Sequence, residues 1–175
     1  MKSLVNKWKE EYQDSDIYMF NYTRSICGIL NKRAQDDEHL HYFHGDIYRK
    51  MNEVNDIVLG IDDSMKNGDK EKYSFIYKKF QDEYNNNEFS RHVNEAKRYI
   101  IFGCSLGDSD AWYFNKIFKQ EESKIYEVYY HTEDEKIEMK RRIEKFSGIS
   151  LADFQDKHHL IMISNQKIGR NFIAR

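Results

Sequence analysis

The chain has 175 residues, of which 39% are hydrophobic and 33% charged, and its 13 Tyr and 11 Phe supply bulky core-forming side chains that exclude wholesale disorder. The 28 Lys and Arg against 30 Asp and Glu leave a formal net charge of -2, and neither sign forms the long block expected of a nucleic-acid or membrane-surface binder. No uncharged apolar run approaches the roughly 20 residues of a bilayer span, so a soluble, cytoplasmic protein is expected.

Leu4, Val5, Trp8 and Tyr12 share one helical face and predict a short first helix ending near Asp14 to Asp16. Ile17 to Phe20 is short, rich in strand formers and closed by Asn21, which predicts a strand. Ile26, Ile29 and Leu30 suggest a helix, His39 to Phe43 a second strand running into a loop at His44 and Gly45, and Asp56 to Ile61 a third. After a polar turn over Asp62 to Asp69, the residues Tyr73, Ile76, Tyr77, Phe80 and Tyr84 recur at helical spacing, a stripe that belongs to a core. Asn85 to Asn87 interrupt it. Phe89, Val93 and Ala96 predict a further helix, Tyr99 to Phe102 a strand closed by Gly103, and Ser109 to Phe118 a helix with Tyr113, Phe114, Ile117 and Phe118 inward. Ile125 to Tyr130 reads as a strand. Thr132 and Glu135 have capping-box spacing before a helix ending near Gly148, Ser150 caps a last short helix, and Leu160 to Ile163 closes the series as a strand.

Strands alternating with helices predict an α/β fold, a parallel sheet with helical cover forming a single domain over 1-175. Cys27 and Cys104 lie far apart and read as reduced thiols. No two glycines are separated by a single residue, so the chain has no Gly-x-Gly phosphate loop, and the total lack of proline carries no functional reading.

Three predicted strands end in a polar or glycine residue followed by a loop: Asn21, His44, and Gly103-Cys104-Ser105. Parallel strands would bring these ends to one edge, where ligands of open α/β sheets bind. The segments Phe20-Asn21-Tyr22-Thr23, Leu40-His41-Tyr42-Phe43-His44-Gly45-Asp46 and Ile100 to Asp110 resemble the ordered motifs of bacterial abortive-infection AbiH proteins, whose arrangement is similar to the sirtuin-like superfamily. The resemblance covers Asp16 to Phe118 best. It implies a Rossmann-like sheet, a role in phage defence and NAD or a related nucleotide as ligand, with NAD hydrolysis as the enzymatic expectation. Carried over, Asn21 matches the residue that positions water or the nicotinamide ribose, and His44 the general base. Gly45 and Asp46 follow in the same motif, while Gly103, Ser105, Leu106 and Asp108 match the turn beside the nucleotide. Breaking a nicotinamide glycosidic bond builds positive charge on the ribose and needs a held hydroxyl or water and a group titrating near neutrality.

Two departures accompany the resemblance. Thr23 stands where sirtuins carry an acidic residue, and the upstream glycine-rich loop is lacking, with only 20 residues before Asn21. The chain therefore reads as the carboxyl-terminal portion of a longer protein without the first βα unit; alone it is expected to hydrolyse NAD poorly or not at all, with activity expected of a form extended upstream through a glycine-rich loop. A non-catalytic nucleotide sensor or an inactive remnant are the alternatives, and a second copy of the chain or a phage trigger protein the expected protein partners.

Simpler readings compete at each position. Asn21 suits a helix N-cap, His44 a turn, and Asp108 with Ser109 a helix start. Asp108 and Asp110 also occupy the positive helix end that a phosphate would need, which favours ribose contact there. His39-x-His41-x-x-His44 nearly reproduces the metal motif of metallo-β-lactamase-like hydrolases, but Phe43 replaces its Asp. Strand alternation puts His39 and His41 on one face and His44 on the other, and His158-His159 is isolated, so no metal is expected.

Overall fold

The computed structural model describes residues 15–20, 39–43 and 87–165. The chain divides into two compact units, Met1–Asn86 and Asn87–Arg175. Expected elements at Leu4 to Tyr12, Ile26 to Leu30, Asp56 to Ile61 and Tyr73 to Tyr84 lie outside the described residues.

In the first unit, β1 (Ile17–Met19) and β2 (Leu40–Tyr42) pair in parallel, with Ile17 opposite Leu40 and Met19 opposite Tyr42. Both strands fall inside the segments predicted from sequence. Ring stacking reinforces the pair: Tyr18 lies 4.5 Å from His41 and 4.8 Å from Phe43, centroid to centroid. Leu40 and Phe43 are buried.

The second unit is α/β, with the described order α1 (Asn87–Glu95), β3 (Arg98–Ile101), a 3-10 turn (Asp108–Asp110), α2 (Ala111–Phe118), β4 (Ile125–Tyr130), α3 (Glu133–Ser147), α4 (Leu151–Lys157) and β5 (His159–Ser164). The strands form a parallel sheet in the order β3-β4-β5, with Arg98 opposite Ile125 and Ile125 opposite His159. Strand β4 is central and buried from Tyr126 to Tyr130, as parallel strands covered on both faces are. Among the described residues no helix is long and apolar enough to cross a membrane.

Alternation along β4 sorts its side chains. Tyr126 turns toward the helices, its ring 5.5 Å from Phe118 of α2 and 5.1 Å from Phe154 of α4, and its hydroxyl donates to the Ile117 carbonyl at 2.8 Å. Glu127 and Tyr129 take the other face, where Glu127 pairs with Arg98 and Tyr129 meets Phe102 edge-on. Tyr113, Phe114, Ile117 and Phe118 of α2 are all buried, as their spacing requires.

The ends of α3 follow their sequence signals. Thr132 Oγ1 accepts from the Glu135 amide at 3.1 Å, and the Glu135 carboxylate accepts from the His131 amide at 2.6 Å. Gly148 ends the helix at φ +78°, a conformation that glycine adopts without a Cβ penalty. The helix expected from Ser109 instead begins as a 3-10 turn, and neither Asp108 nor Ser109 caps it. The Asp108 carboxylate is drawn away to Arg142 and Lys145 of α3, and Ser109 Oγ donates to Asp110.

His158, at the junction of α4 and β5, is buried between Phe154 and Tyr126. Its Nδ1 accepts from the Lys124 amide at 3.2 Å, so the proton of the neutral ring sits on Nε2, which has no hydrogen-bond partner among the described residues. Burial, then Lys157 and Lys124, hold its pKa below the ordinary 6.5. The unfolded chain therefore takes up this proton first. The contribution of His158 to stability is full above pH 6.5 and is lost as pH falls through that value toward the lowered folded one. Urea unfolding at pH 7.5 and 5.0 is expected to show a smaller acid loss in His158→Gln than in the wild-type chain; equal losses would remove His158 as the source.

Candidate functional site

In the first unit the parallel register carries the chain out of both strands in the same direction. The Phe43 amide donates to the Met19 carbonyl at 3.0 Å, and the rings of Phe20 and Phe43 lie 5.0 Å apart, so the two exits are side by side. Asn21 follows Phe20, and His44 follows Phe43, with Gly45 and Asp46 next. These four residues lie outside the described ones.

At the opposite ends of the same strands, Asp16 links the histidines. Its Oδ1 is 3.3 Å from His39 Nδ1 and 3.0 Å from His41 Nε2. The shared partner matches the alternation that sets His39 and His41 on one face, while His44 lies outside the described residues. The sequence reading missed Asp16; its position directly before β1 was the available signal. Two imidazoles on one carboxylate oxygen form a hydrogen-bonded group that fixes the start of the strand pair. A closed structural zinc site takes four ligands. Elemental analysis of the purified protein is expected to find no stoichiometric zinc, and zinc that disappears in His41→Ala would establish a metal site instead.

In the second unit β3 runs into the Gly103 turn. Gly103 has φ +64°, which a Cβ would strain. Leu106 has φ +55°, a left-handed conformation that costs a non-glycine residue about 1–2 kcal/mol. Two contacts offset that cost: the Leu106 side chain is fully buried, and its carbonyl accepts from Arg142 Nη1 at 2.9 Å. Asp108 completes the clamp, with Lys145 Nζ at 2.7 Å and Arg142 Nη1 at 3.3 Å. Helix α3 therefore holds the turn at Leu106 and Asp108. Neither Arg142 nor Lys145 is distinguished in the sequence from the other cations of an amphipathic helix.

Cys104 is a free thiol inside this turn. Burial, against a smaller opposing effect of the Leu106 backbone hydrogen bond, pushes its pKa up to about 11, so it is protonated at neutral pH and unsuited to nucleophilic attack. Ser105 and Gly103 are exposed. What the turn offers a ligand is backbone and hydroxyl hydrogen bonding.

A family model described as bacteriophage abortive infection AbiH matches residues 2–132. The match takes in Asn21, His44, Gly45, Asp46, Gly103, Ser105, Leu106 and Asp108, and it ends at the cap of α3. No curated protein and no solved structure matches the chain.

Proposed function

The chain belongs to the bacteriophage abortive infection AbiH family, and from that premise we propose that it serves phage defence through a sirtuin-like nucleotide pocket that takes NAD or a related nucleotide. The observation that carries the reading is the parallel β1–β2 pair, whose adjoining exits lead directly into Asn21 and His44. Ligands of parallel α/β sheets bind at such carboxyl ends. Asn21 orients the nicotinamide ribose or the attacking water, and His44 takes the proton as the glycosidic bond breaks. Gly45 and Asp46 follow His44 in the same motif. Within the second unit, taken by itself, Gly103, Ser105, Leu106 and Asp108 form a turn suited to a ribose of such a nucleotide. Asp108 contributes through the shape of the turn, since its carboxylate is engaged by Arg142 and Lys145. No metal takes part.

The test is incubation of the chain with NAD, followed by chromatography for nicotinamide and calorimetry for binding. Nicotinamide release dependent on Asn21 supports hydrolysis. Binding without release favours the sensor reading, which the lack of a Gly-x-Gly loop supports, because pyrophosphate recognition relies on a glycine turn at a helix N-terminus. Neither binding nor release would end the nucleotide reading.

A further inference from the structure

The carboxyl edge of the second unit holds a histidine that the reading above leaves unused. His131 follows β4 directly, is exposed, and has its amide fixed by Glu135. Its Nδ1 lies 2.9 Å from Asn165 Oδ1, and Asn165, the residue after β5, donates its amide to the Tyr130 carbonyl at 2.8 Å. An amide oxygen only accepts, so the ring proton of neutral His131 sits on Nδ1. Nε2 keeps its lone pair and makes no hydrogen bond among the described residues. The backbone and the ring are thus both fixed, which costs an incoming ligand little ordering.

The β3–β4 register places the next strand end alongside. Ile101 pairs with Val128 and Phe102 meets Tyr129, so the Gly103-Cys104-Ser105 turn leaves β3 level with Tyr130 and His131. One edge therefore gathers an imidazole acceptor, the Asn165 amide and an exposed serine turn held by Arg142. Acidic groups outnumber the cations there: Glu133, Asp134 and Glu135 fill the first turn of α3 and Asp108 and Asp110 the 3-10 turn, with Glu133 paired to Lys136 and Asp108 to Arg142 and Lys145. That set opposes phosphate and suits neutral hydroxyls, which both donate and accept.

We propose that His131, oriented by Asn165, is a binding residue for a ribose, its Nε2 accepting a hydrogen bond from a sugar hydroxyl over the carboxyl edge of β3, β4 and β5. The inference rests on the nucleotide reading for its ligand class, but it has a separate test. The full chain is titrated with adenosine, nicotinamide riboside and 2′-deoxyadenosine, and the tautomer of His131 is read from long-range proton–nitrogen correlation spectra. At least one ribonucleoside should bind, more tightly than the deoxy probe, and His131→Gln and Asn165→Ala should each weaken it about tenfold. Nε2 should be unprotonated in the neutral wild-type ring. Undiminished binding in His131→Gln, a neutral ring protonated at Nε2, or no binding of any ribonucleoside overturns the proposal. Ribonucleoside binding through His131 without nicotinamide release from NAD would leave this inference standing and remove hydrolysis alone. An unchanged rate of release in His131→Gln together with unchanged binding would do the reverse.

Discussion

Substituting His44 by alanine is expected to slow nicotinamide release from NAD by roughly 10²- to 10⁴-fold, the usual cost of losing a general base. The expectation follows from its place in the chain, two residues after the second of two parallel strands whose exits adjoin. The wild-type rate is itself expected to be low, since the sequence has no Gly-x-Gly turn to bind the pyrophosphate and spend remote binding energy on holding the ribose. Single-turnover chromatography with protein in excess gives the needed range. A rate in His44→Ala within twofold of wild type would remove the base, and an equal fall in Asn21→Ala would tie the two strand exits to one reaction.

The largest effect on stability is expected from Tyr126. Its side chain is fully buried and touches Tyr99, Phe118, Phe154 and His158, joining β3, α2 and α4 through one ring. Truncation to alanine opens a cavity that both helices line, at a cost of about 3–5 kcal/mol, a large fraction of the roughly 5–15 kcal/mol that holds a typical domain folded. Tyr126→Phe keeps the packing and loses only the hydrogen bond to the Ile117 carbonyl, about 1 kcal/mol. Urea midpoints for the two variants should differ accordingly. A loss below about 1 kcal/mol in Tyr126→Ala would show that the sheet and helices do not depend on this ring.

Much of the second unit was legible because its elements rest on local patterns. Thr132 with Glu135 marked the start of α3, Gly148 its end, Ser150 the start of α4, and the apolar run Ile125 to Tyr130 was a strand throughout. The start of α2 was misjudged for a nonlocal reason. Asp108 has the right residue type for a cap, but two cations some 35 residues further on compete for its carboxylate. Nothing in the local sequence announces such a competitor. The Asp16 group and the His131–Asn165 pair were missed likewise, because each joins residues more than 20 positions apart that only strand pairing brings together. The first two strands, by contrast, followed from short apolar runs closed by polar residues, with the paired strands ending at Met19 and Tyr42, one residue before the predicted ends.

The clamp on the Leu106 turn has a thermodynamic corollary. The turn lies within the stretch shared with the family, whereas Arg142 and Lys145 lie beyond it. Because coupling free energies are reciprocal, any ligand that favours the clamped turn must stabilise α3 by the same amount, and any change in α3 that loosens the clamp must weaken that ligand. Hydrogen exchange across the last turns of α3, which carry Arg142 and Lys145, would then report how firmly the turn is held. A defence protein built this way can have the firmness of that turn retuned by substitutions on the polar face of one helix, leaving every residue at the strand ends untouched.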